Sequence, residues 1–187
     1  MTNHFILITL LALSLSTVHS QVEDGYCGLD GNEYATVEAA HNAGTSILNC
    51  GPCGACSTLN DVKVYEETKN NLTKVSRMCA VVGLIHDYLA KKCLDWFVGF
   101  TEECTKCWIE NIKCDQKQCK WVCIWSLITG EDYVDEEGNL NKCLQCDEDK
   151  CGPAFKECAG ANRRRSCIVS DIMRDDKLIC KECDKVE

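Results

Sequence analysis

The sequence is poor in histidine and proline, and it has no long apolar run after its N-terminus. Only four of the 187 residues are histidine and only two are proline. Because just His41 and His86 follow Ser20, the supply of general bases for catalysis is thin. No stretch after Ser20 approaches the ~20 uncharged residues that a membrane helix requires. These shortages argue against an enzyme and against membrane insertion.

Basic residues are also in deficit. The chain has 20 Lys and Arg residues against 29 Asp and Glu residues, which gives a formal net charge of −9. Nucleic-acid binding depends on the neutralisation of phosphates, so this balance argues against a nucleic-acid partner. The basic cluster from Arg163 to Arg165 leaves three interpretations open: a solvated turn, a convertase cleavage site after Arg165, or an anion-binding patch.

The N-terminal segment, residues 1–20, is typical of a cleavable secretion signal. It is apolar from Phe5 to about Ser16, and small residues close it, which favours cleavage after Ser20. It departs from the usual pattern because no Lys or Arg precedes the apolar part. We therefore expect a secreted protein that lacks residues 1–20 in its mature form.

Cysteine is the residue that the chain has in abundance. All 18 cysteines follow Ser20, and their even number allows nine bridges with no odd thiol. Cysteines exported to an oxidising compartment form disulfides in preference to metal sites. We expect every cysteine to be bridged and no metal or cofactor to be bound. The pairing stays open, since 18 cysteines allow on the order of 10⁷ complete pairings.

Three regions follow the signal. Residues 21–56 are rich in glycine and turns, and residues 57–130 have helical periodicity. Residues 131–187 begin in an acidic loop, Gly130 to Asn141, and continue as a second cysteine-rich helical segment. This organisation predicts a mainly α, disulfide-rich fold, with a small α+β cap before a multi-helix body braced by disulfides.

Periodicity and capping residues place the helices. The expected helices are Glu33 to Asn42, Ser57 to Glu67, about Thr73 to Leu94, one capped by Thr101 that bears Cys104 and Cys107, one that bears Cys119 and Cys123 and stops at Gly130, Pro153 to Cys158, and Cys167 to Met173 behind a Ser166 cap. A straight helix to Leu94 would hold Cys79 and Cys93 ~21 Å apart, at 1.5 Å per residue. We expect each of these two cysteines to bridge to a neighbouring element.

A spaced pattern of cysteine, glycine and aromatic residues fills the first region. It reads Cys27-Gly28-x-Asp30-Gly31-x-x-Tyr34, then Ala43-Gly44, Ile47 and Gly51-x-Cys53. In this spacing it resembles the second half of a Kazal-like module. The resemblance implies a hairpin that turns at Asp30-Gly31, a helix that starts at Tyr34, and a disulfide between Cys27 and Cys53.

The departures from the Kazal pattern are consistent with one another. Glu38 and Asn42 stand where that family has two further cysteines, and the upstream partners of those cysteines are also missing. The family's protease-binding loop would precede Cys27, where the mature chain offers only Gln21 to Tyr26. Protease inhibition is therefore an alternative function that rests on the resemblance alone.

Two overlapping motifs have the form of cysteine active sites. Cys50-Gly51-Pro52-Cys53 is identical to the thioredoxin tetrapeptide, whose chemistry requires a low-pKa thiol at a helix start that follows a strand. No βαβ pattern surrounds it, and with Pro153 as the one other proline a partner cis-proline is hard to supply. Gly51 to Cys56 is similar to a papain-type nucleophile segment, but suitable downstream histidines are lacking. We interpret both as a structural disulfide knot.

His86-Asp87, within a cysteine-bearing helix, resembles the active site of secreted phospholipase A2. In that family the His activates a water and the Asp holds calcium, and adjacent cysteines come three and four residues before the His. Here Val82 and Gly83 occupy those places, and no Cys-Gly-x-Gly-Gly loop exists. The resemblance implies a small secreted hydrolase that uses His86 and Asp87, and the plain interpretation is a surface histidine beside a solvated carboxylate.

Further motifs have metal or carbohydrate spacing. The pairs Cys104/Cys107, Cys143/Cys146 and Cys180/Cys183 have zinc-ligand spacing, but export favours their oxidation. Asp147-x-Asp149 opens like an EF-hand loop but has Cys158 where calcium needs Glu, so we expect a turn. Asn71-Leu72-Thr73 is an acceptor for N-glycosylation, which export makes available.

The leading hypothesis is a non-enzymatic extracellular protein that acts through its surface, as a ligand, a matrix component or a binding module. Its partner would be an extracellular protein or matrix that the sequence leaves unidentified. Four tryptophans are candidates for a partner patch, although aromatics at helical spacing are more often core: Trp96, Trp108, Trp121 and Trp125. The alternatives are the hydrolase that uses His86 and Asp87, and the protease inhibitor.

Overall fold

The computed structural model of the protein describes residues 25–172 and 176–184. The expected secretion signal and its cleavage site at Ser20 lie outside the described residues. Within them the chain forms eight α-helices and one three-stranded sheet. Nine disulfides join all 18 cysteines. The protein is therefore mainly α and disulfide-rich, as the sequence predicts. None of the described helices has the length and apolar character needed to cross a bilayer.

The N-terminal cap combines a small antiparallel sheet with one short helix. Its elements are β1 (Tyr26–Gly28), β2 (Glu33–Tyr34), α1 (Val37–Asn42) and β3 (Ile47–Cys50), in the strand order β2-β1-β3. Asp30 closes the β1–β2 turn: it accepts a 2.6 Å hydrogen bond from the Tyr34 hydroxyl, which lowers the pKa of the Asp30 carboxyl. The expected helix start at Glu33 or Tyr34 is wrong, because Tyr34 pairs with Tyr26 in the sheet and Thr36 caps α1.

The disulfide between Cys27 and Cys53 is present, with 4.9 Å between the two Cα atoms. It joins the first strand to the segment that follows β3 and so closes the cap. The resemblance of this cap to a Kazal-like module stays a prediction.

The body consists of seven α-helices and a final 3₁₀ turn. They are α2 (Leu59–Glu67), α3 (Leu72–Gly83), α4 (Asp87–Phe97), α5 (Glu102–Gln118), α6 (Lys120–Thr129), α7 (Lys142–Lys150), α8 (Gly152–Ala159) and the 3₁₀ turn Asp176–Leu178. Three local signals are confirmed: Thr101 caps α5, Gly130 ends α6 in the left-handed region, and Pro153 lies in the first turn of α8. Thr58, rather than Ser57, caps α2.

The single helix expected from Thr73 to Leu94 is wrong, because the chain reverses between α3 and α4. His86 starts α4, where its Nδ1 accepts the backbone N–H of Tyr88 at 3.1 Å. The two helices then run side by side, and Cys79 bonds to Cys93 with 5.4 Å between their Cα atoms. The ~21 Å separation assumed one straight helix, so the expectation of separate partners for these two cysteines is also wrong.

The last expected helix, Cys167 to Met173, does not form within the described residues. Ser166 donates its backbone N–H to Asn162 O at 2.8 Å instead of capping a helix, and Cys167 has a φ of 61°. That left-handed conformation is unfavourable for a helix start. It directs Cys167 into its disulfide with Cys183. Met173 itself lies outside the described residues.

Two buried clusters form the core of the body. In the first, Tyr65, Phe100 and Cys104 pack beside Trp108, whose ring stacks on Phe100 with centroids 5.6 Å apart. The second lies between α3, α4 and α5 and includes the Cys79–Cys93 bridge. Trp108 contacts both clusters, so its place in the expected surface patch of four tryptophans is wrong.

Disulfides join the helices of residues 57–130 to the segment 131–187. The pairs Cys107–Cys158 and Cys114–Cys151 tie α5 to α8 or its start, and Cys119–Cys146 and Cys123–Cys143 tie the α5–α6 region to α7. Three further bridges are Cys50–Cys180, Cys56–Cys104 and Cys167–Cys183. Each cysteine of the three zinc-spaced pairs is therefore bonded to a cysteine elsewhere.

After the cap, the chain crosses the end of α8, and the backbones of the two segments are in direct contact. Ala55 and Cys56 donate their N–H groups to Cys158 O and Ala159 O at 2.9 and 2.8 Å. Ser57 Oγ accepts the N–H groups of Gly54 and Ala161 at 3.0 and 3.1 Å. Because its hydroxyl is used in this crossing, Ser57 does not cap α2. The crossing fixes α8 against the cap and so positions one wall of the cleft described next.

Candidate functional site

A cleft of about 200 Å³ lies among α3, α5, α7, α8 and the segment 162–172. It is partly open, and most of its lining side chains are half-buried. The lining residues that carry its chemistry are Arg77, Trp108, Asn111, Asp115, Leu144, Asp147 and Phe155. They come from four helices that are separate in sequence.

Helix α5 forms the floor of this cleft and supplies both a polar and an apolar pair. Asn111 and Asp115 are one helical turn apart and therefore project from one face of α5, as do Trp108 and Ile112. Gln116 of α5 donates to Ala80 O of α3 at 3.0 Å, which holds α3 against this floor. The bridges that tie α5 to α7 and α8 fix the opposite walls.

The polar end of the cleft contains two carboxyl groups that interact. Burial, and then the charge of Asp147 and a hydrogen bond to it, raise the pKa of Asp115 to about 8. Asn111 Nδ2 donates to Asp147 Oδ1 at 3.0 Å. Because two adjacent carboxylates repel each other, one keeps its proton at neutral pH. The pair therefore carries a single negative charge, which Asn111 already stabilises.

Several buried polar atoms of this cleft have no hydrogen-bond partner in the described part of the chain. They are Arg77 Nε, Arg77 Nη2, Asn111 Oδ1 and Asp115 Oδ1. A buried group left without a partner costs ~1–3 kcal/mol, so most proteins satisfy such groups. Four such atoms on three residues that line one cavity indicate that this part of the fold is arranged for a partner other than its own side chains.

The other end of the cleft is apolar and aromatic. The rings of Trp108 and Phe155 meet edge to face with centroids 4.9 Å apart. Trp108 Nε1 donates to the Tyr65 hydroxyl at 3.2 Å, and burial raises the pKa of Tyr65. Leu144 of α7 also lines the cleft. A molecule in the cleft would meet hydrogen-bonding groups at one end and aromatic rings at the other.

The arginines of the basic cluster are engaged in the fold. Arg163 donates to Lys69 O, Thr73 Oγ1 and Asp171 Oδ1 at 3.2, 3.0 and 3.4 Å. Arg164 pairs with Glu148 at 2.8 Å. The interpretation of this cluster as a solvated turn is therefore wrong.

Arg165, the expected processing residue, is held in the same way. Its guanidinium donates to Lys156 O and Gly160 O at 2.8 and 2.9 Å, so it anchors the end of α8. Cleavage after Arg165 stays a prediction.

His86 and Asp87 lie on the surface at the start of α4 and do not line the cleft. The His86 ring caps its own helix, and Asp87 Oδ2 lies 3.3 Å from Lys113 Nζ. The other histidine among the described residues, His41, lies in the cap with its Nε2 2.9 Å from Asp184 Oδ2. The structure thus keeps the two histidines in different parts of the molecule. The hydrolase that would use His86 and Asp87 stays a prediction.

The geometric clusters of metal-ligand residues do not fit a metal chemically. Within the described ranges they are Cys167/Cys180/Cys183, Cys50/Cys180/Glu182 and Asp115/Cys119/Cys151. Every cysteine in them is bonded in a disulfide. A disulfide sulfur is not a thiolate, and metal ligation by cysteine requires the thiolate.

The glycosylation acceptor Asn71 is exposed directly before α3. Its side chain makes no capping hydrogen bond to that helix, so a glycan could be attached there without disturbing the helix start. Its glycosylation stays a prediction.

Sequence reasoning missed Arg77, Asn111 and Asp115. One signal could have indicated the two residues of α5. Asn111 and Asp115 adjoin Trp108 and Ile112 on the inward face of a helix, where polar residues are uncommon without a partner. Arg77 gives no such signal, because a single arginine on a helix is usually a solvated one.

The fold and the cleft define a disulfide-braced, mainly α protein with a cavity that is polar at one end and aromatic at the other. Residues 87–182, just over half of the chain, match a family of unknown function, DUF8771, and the chain belongs to this family. No curated protein and no solved structure matches it. The matched range contains α4 to α8 and thus most walls of the cleft, whereas the N-terminal cap and Arg77 precede it.

Proposed function

We propose that the protein is a non-catalytic extracellular binding protein that holds one small organic molecule in this cleft. The observation that carries the proposal is the set of unpartnered buried polar atoms on Arg77, Asn111 and Asp115 around a cavity of about 200 Å³. Ligand sites are concave and largely apolar, with a few convergent polar groups that fix orientation. This cleft has that composition.

The disulfides support a binding role outside the cell. Four of them join the wall helices α5, α7 and α8 to one another or to neighbouring α6. Walls that are fixed before a ligand arrives lose little conformational entropy on binding, and this raises affinity. Disulfides also persist in oxidising surroundings, which fits secretion. Catalysis would require a nucleophile or a base with its own activating group. We assign the Asp115–Asp147 pair to ligand binding rather than to such a catalytic role.

Binding can be tested with 1-anilinonaphthalene-8-sulfonate, a fluorescent anion with aromatic rings. We expect saturable binding at one site per protein. Leu144→Trp should weaken it at least about tenfold, because the larger ring takes up space inside the cleft that Leu144 lines. Leu127→Trp is the matched control: Leu127 is 47% exposed on neighbouring α6 and does not line the cleft. Equal affinity in the two variants, or no saturable binding by the native protein, would contradict the proposal.

A second candidate is action through the surface, for which exposed aromatics on α4 and α6 are the specific observation. Trp96, Trp121 and Trp125 are 84%, 78% and 61% exposed. Trp121 and Trp125 lie one turn apart on one face of α6. Twofold homodimers are the commonest assemblies and use one surface twice, so we assign this face to a second copy of the chain. Sedimentation should show a dimer that the double variant Trp121→Ser/Trp125→Ser loses. A native protein that stays monomeric at all concentrations would exclude this role.

A further inference from the structure

We propose that the molecule held in the cleft is a small organic carboxylate with an apolar, ring-containing tail, and that Arg77 binds its carboxylate with two parallel hydrogen bonds. This inference rests on the proposed function and specifies its ligand. Three features of the cleft carry it: the free edge of Arg77, the balance of charges in the lining, and the position of the aromatic wall.

The unpartnered atoms of Arg77 are Nε and Nη2. These two nitrogens form one edge of the guanidinium plane, and their N–H groups point in parallel. The spacing of these donors matches the two oxygens of a carboxylate, which is why arginine binds planar oxyanions in this bidentate way. A single neutral acceptor would satisfy only one of the two nitrogens.

The other arginines of the lining already have counter-ions. Arg163 lies 3.4 Å from Asp171 and Arg164 lies 2.8 Å from Glu148. Arg77 has no ion pair with any described residue. A partly buried charge without a counter-ion is unfavourable. An anionic ligand would provide the missing counter-ion.

The acid pair does not make the cleft a cation site. Asp115 and Asp147 share one proton at neutral pH, and the remaining charge accepts from Asn111. Two oxygens beside this charge have no donor among the described residues: Asn111 Oδ1 and Asp115 Oδ1. A hydroxyl or N–H group on the ligand can donate to these oxygens. They therefore favour a hydrogen-bonding substituent between the carboxylate and the tail.

The aromatic wall of the cleft indicates that the ligand has an apolar tail with a ring. Trp108 and Phe155 line the cleft as an edge-to-face pair. Such a wall binds a ring by burial of apolar area together with ring-edge contacts. The cavity of about 200 Å³ limits the occupant to a small molecule. Fatty acids with long chains are thereby disfavoured.

Three probes that share a phenylpropyl tail separate the head groups: 3-phenylpropanoate, 3-phenylpropan-1-ol and 3-phenylpropan-1-amine. Their affinities for the native, oxidised protein can be measured at pH 6.5 by calorimetry or by displacement of the fluorescent anion. We expect the carboxylate to bind at least about tenfold more tightly than the alcohol, and the amine to bind most weakly. Equal affinities, or tightest binding of the amine, would overturn the inference.

Variants of Arg77 test the residue itself. Arg77→Gln should reduce the preference for the carboxylate over the alcohol to within about twofold, and Arg77→Lys should retain only part of it, because lysine keeps the charge but lacks the paired donors. Lys74→Gln, an exposed change on the same helix, is the matched control and should leave the preference intact. A preference that survives in Arg77→Gln would remove Arg77 from the site. If that variant fails to fold, the comparison of probes on the native protein still decides the head group.

The two proposals fail in different ways. If the fluorescent anion binds saturably and Leu144→Trp blocks it, but the three probes bind equally, the cleft is a ligand site and the assignment to carboxylates is wrong. If neither the fluorescent anion nor any probe binds at one site, the proposed function itself is wrong.

Discussion

Replacement of Gly54 by alanine is expected to lower the free energy of unfolding by more than about 3 kcal/mol. A Cβ atom at position 54 would lie 2.4 Å from Gly160 N and 2.6 Å from the carbonyl carbon of Ala159. Both are backbone atoms, so no flexible side chain can move aside. The crossing would have to separate, which would break the hydrogen bonds from Ala55 and Cys56 to the end of α8.

The measurement is the midpoint of thermal unfolding, together with the yield of secreted protein that has no free thiol. Gly152→Ala is the matched control, because a Cβ there would come no closer than 3.5 Å to its neighbours, an ordinary contact. We expect that control to change stability by less than about 1 kcal/mol. Gly160→Ala should repeat the large effect, since its Cβ would lie 2.3 Å from Gly54 N. A Gly54→Ala protein that unfolds at the native temperature would show that the two segments do not touch.

The second large effect is a gain in stability. Asp115→Asn should raise the free energy of unfolding at pH 7 to 9 by about 2 kcal/mol, because it removes a carboxyl group that burial makes costly to ionise. In the unfolded chain Asp115 ionises near its ordinary pKa of 3.8, and in the folded protein it ionises at about 8. Between these values only the unfolded chain has lost the proton, so the stability of the native protein falls as pH rises and levels off above about pH 8.

Thermal unfolding midpoints of Asp115→Asn and of the native protein at pH 4, 7 and 9 test this pH dependence of stability. The difference between Asp115→Asn and the native protein should be smallest at pH 4 and should increase toward pH 9. Asp149→Asn, an exposed position on α7, serves as the control and should show no such trend. If Asp115→Asn is instead less stable than the native protein at pH 7, Asp115 is ionised in the fold at neutral pH and the shared proton is excluded.

Local signals predicted the parts of the fold that a few neighbouring residues determine. Thr101, Gly130 and Pro153 act on the backbone within one helical turn of themselves, so a short stretch of sequence contains everything that determines their effect. The reversal between α3 and α4 was missed because Leu84 and Ile85 continue the apolar pattern through it. A periodic pattern is the same for one long helix and for two helices that pack antiparallel.

The candidate site could not be predicted in the same way. Arg77, Asp115 and Asp147 come from α3, α5 and α7, and only the disulfide pairing and the packing bring these helices together. Trp108 and Trp121 likewise look alike in sequence, since both lie on helices between cysteines. The structure buries part of the first and leaves the second 78% exposed, because only Trp108 faces the aromatic core.

The disulfide pattern also determines what happens when a protease cuts the chain. The interval closed by Cys50–Cys180 overlaps those closed by Cys27–Cys53 and by Cys167–Cys183. Consequently every peptide bond from Cys27 to Cys183 is spanned by at least one covalent link between sulfurs. A single nick anywhere in that interval leaves one molecule of unchanged mass apart from an added water. The fragments separate only under a reductant, so a single cut within that interval cannot release a piece of the protein.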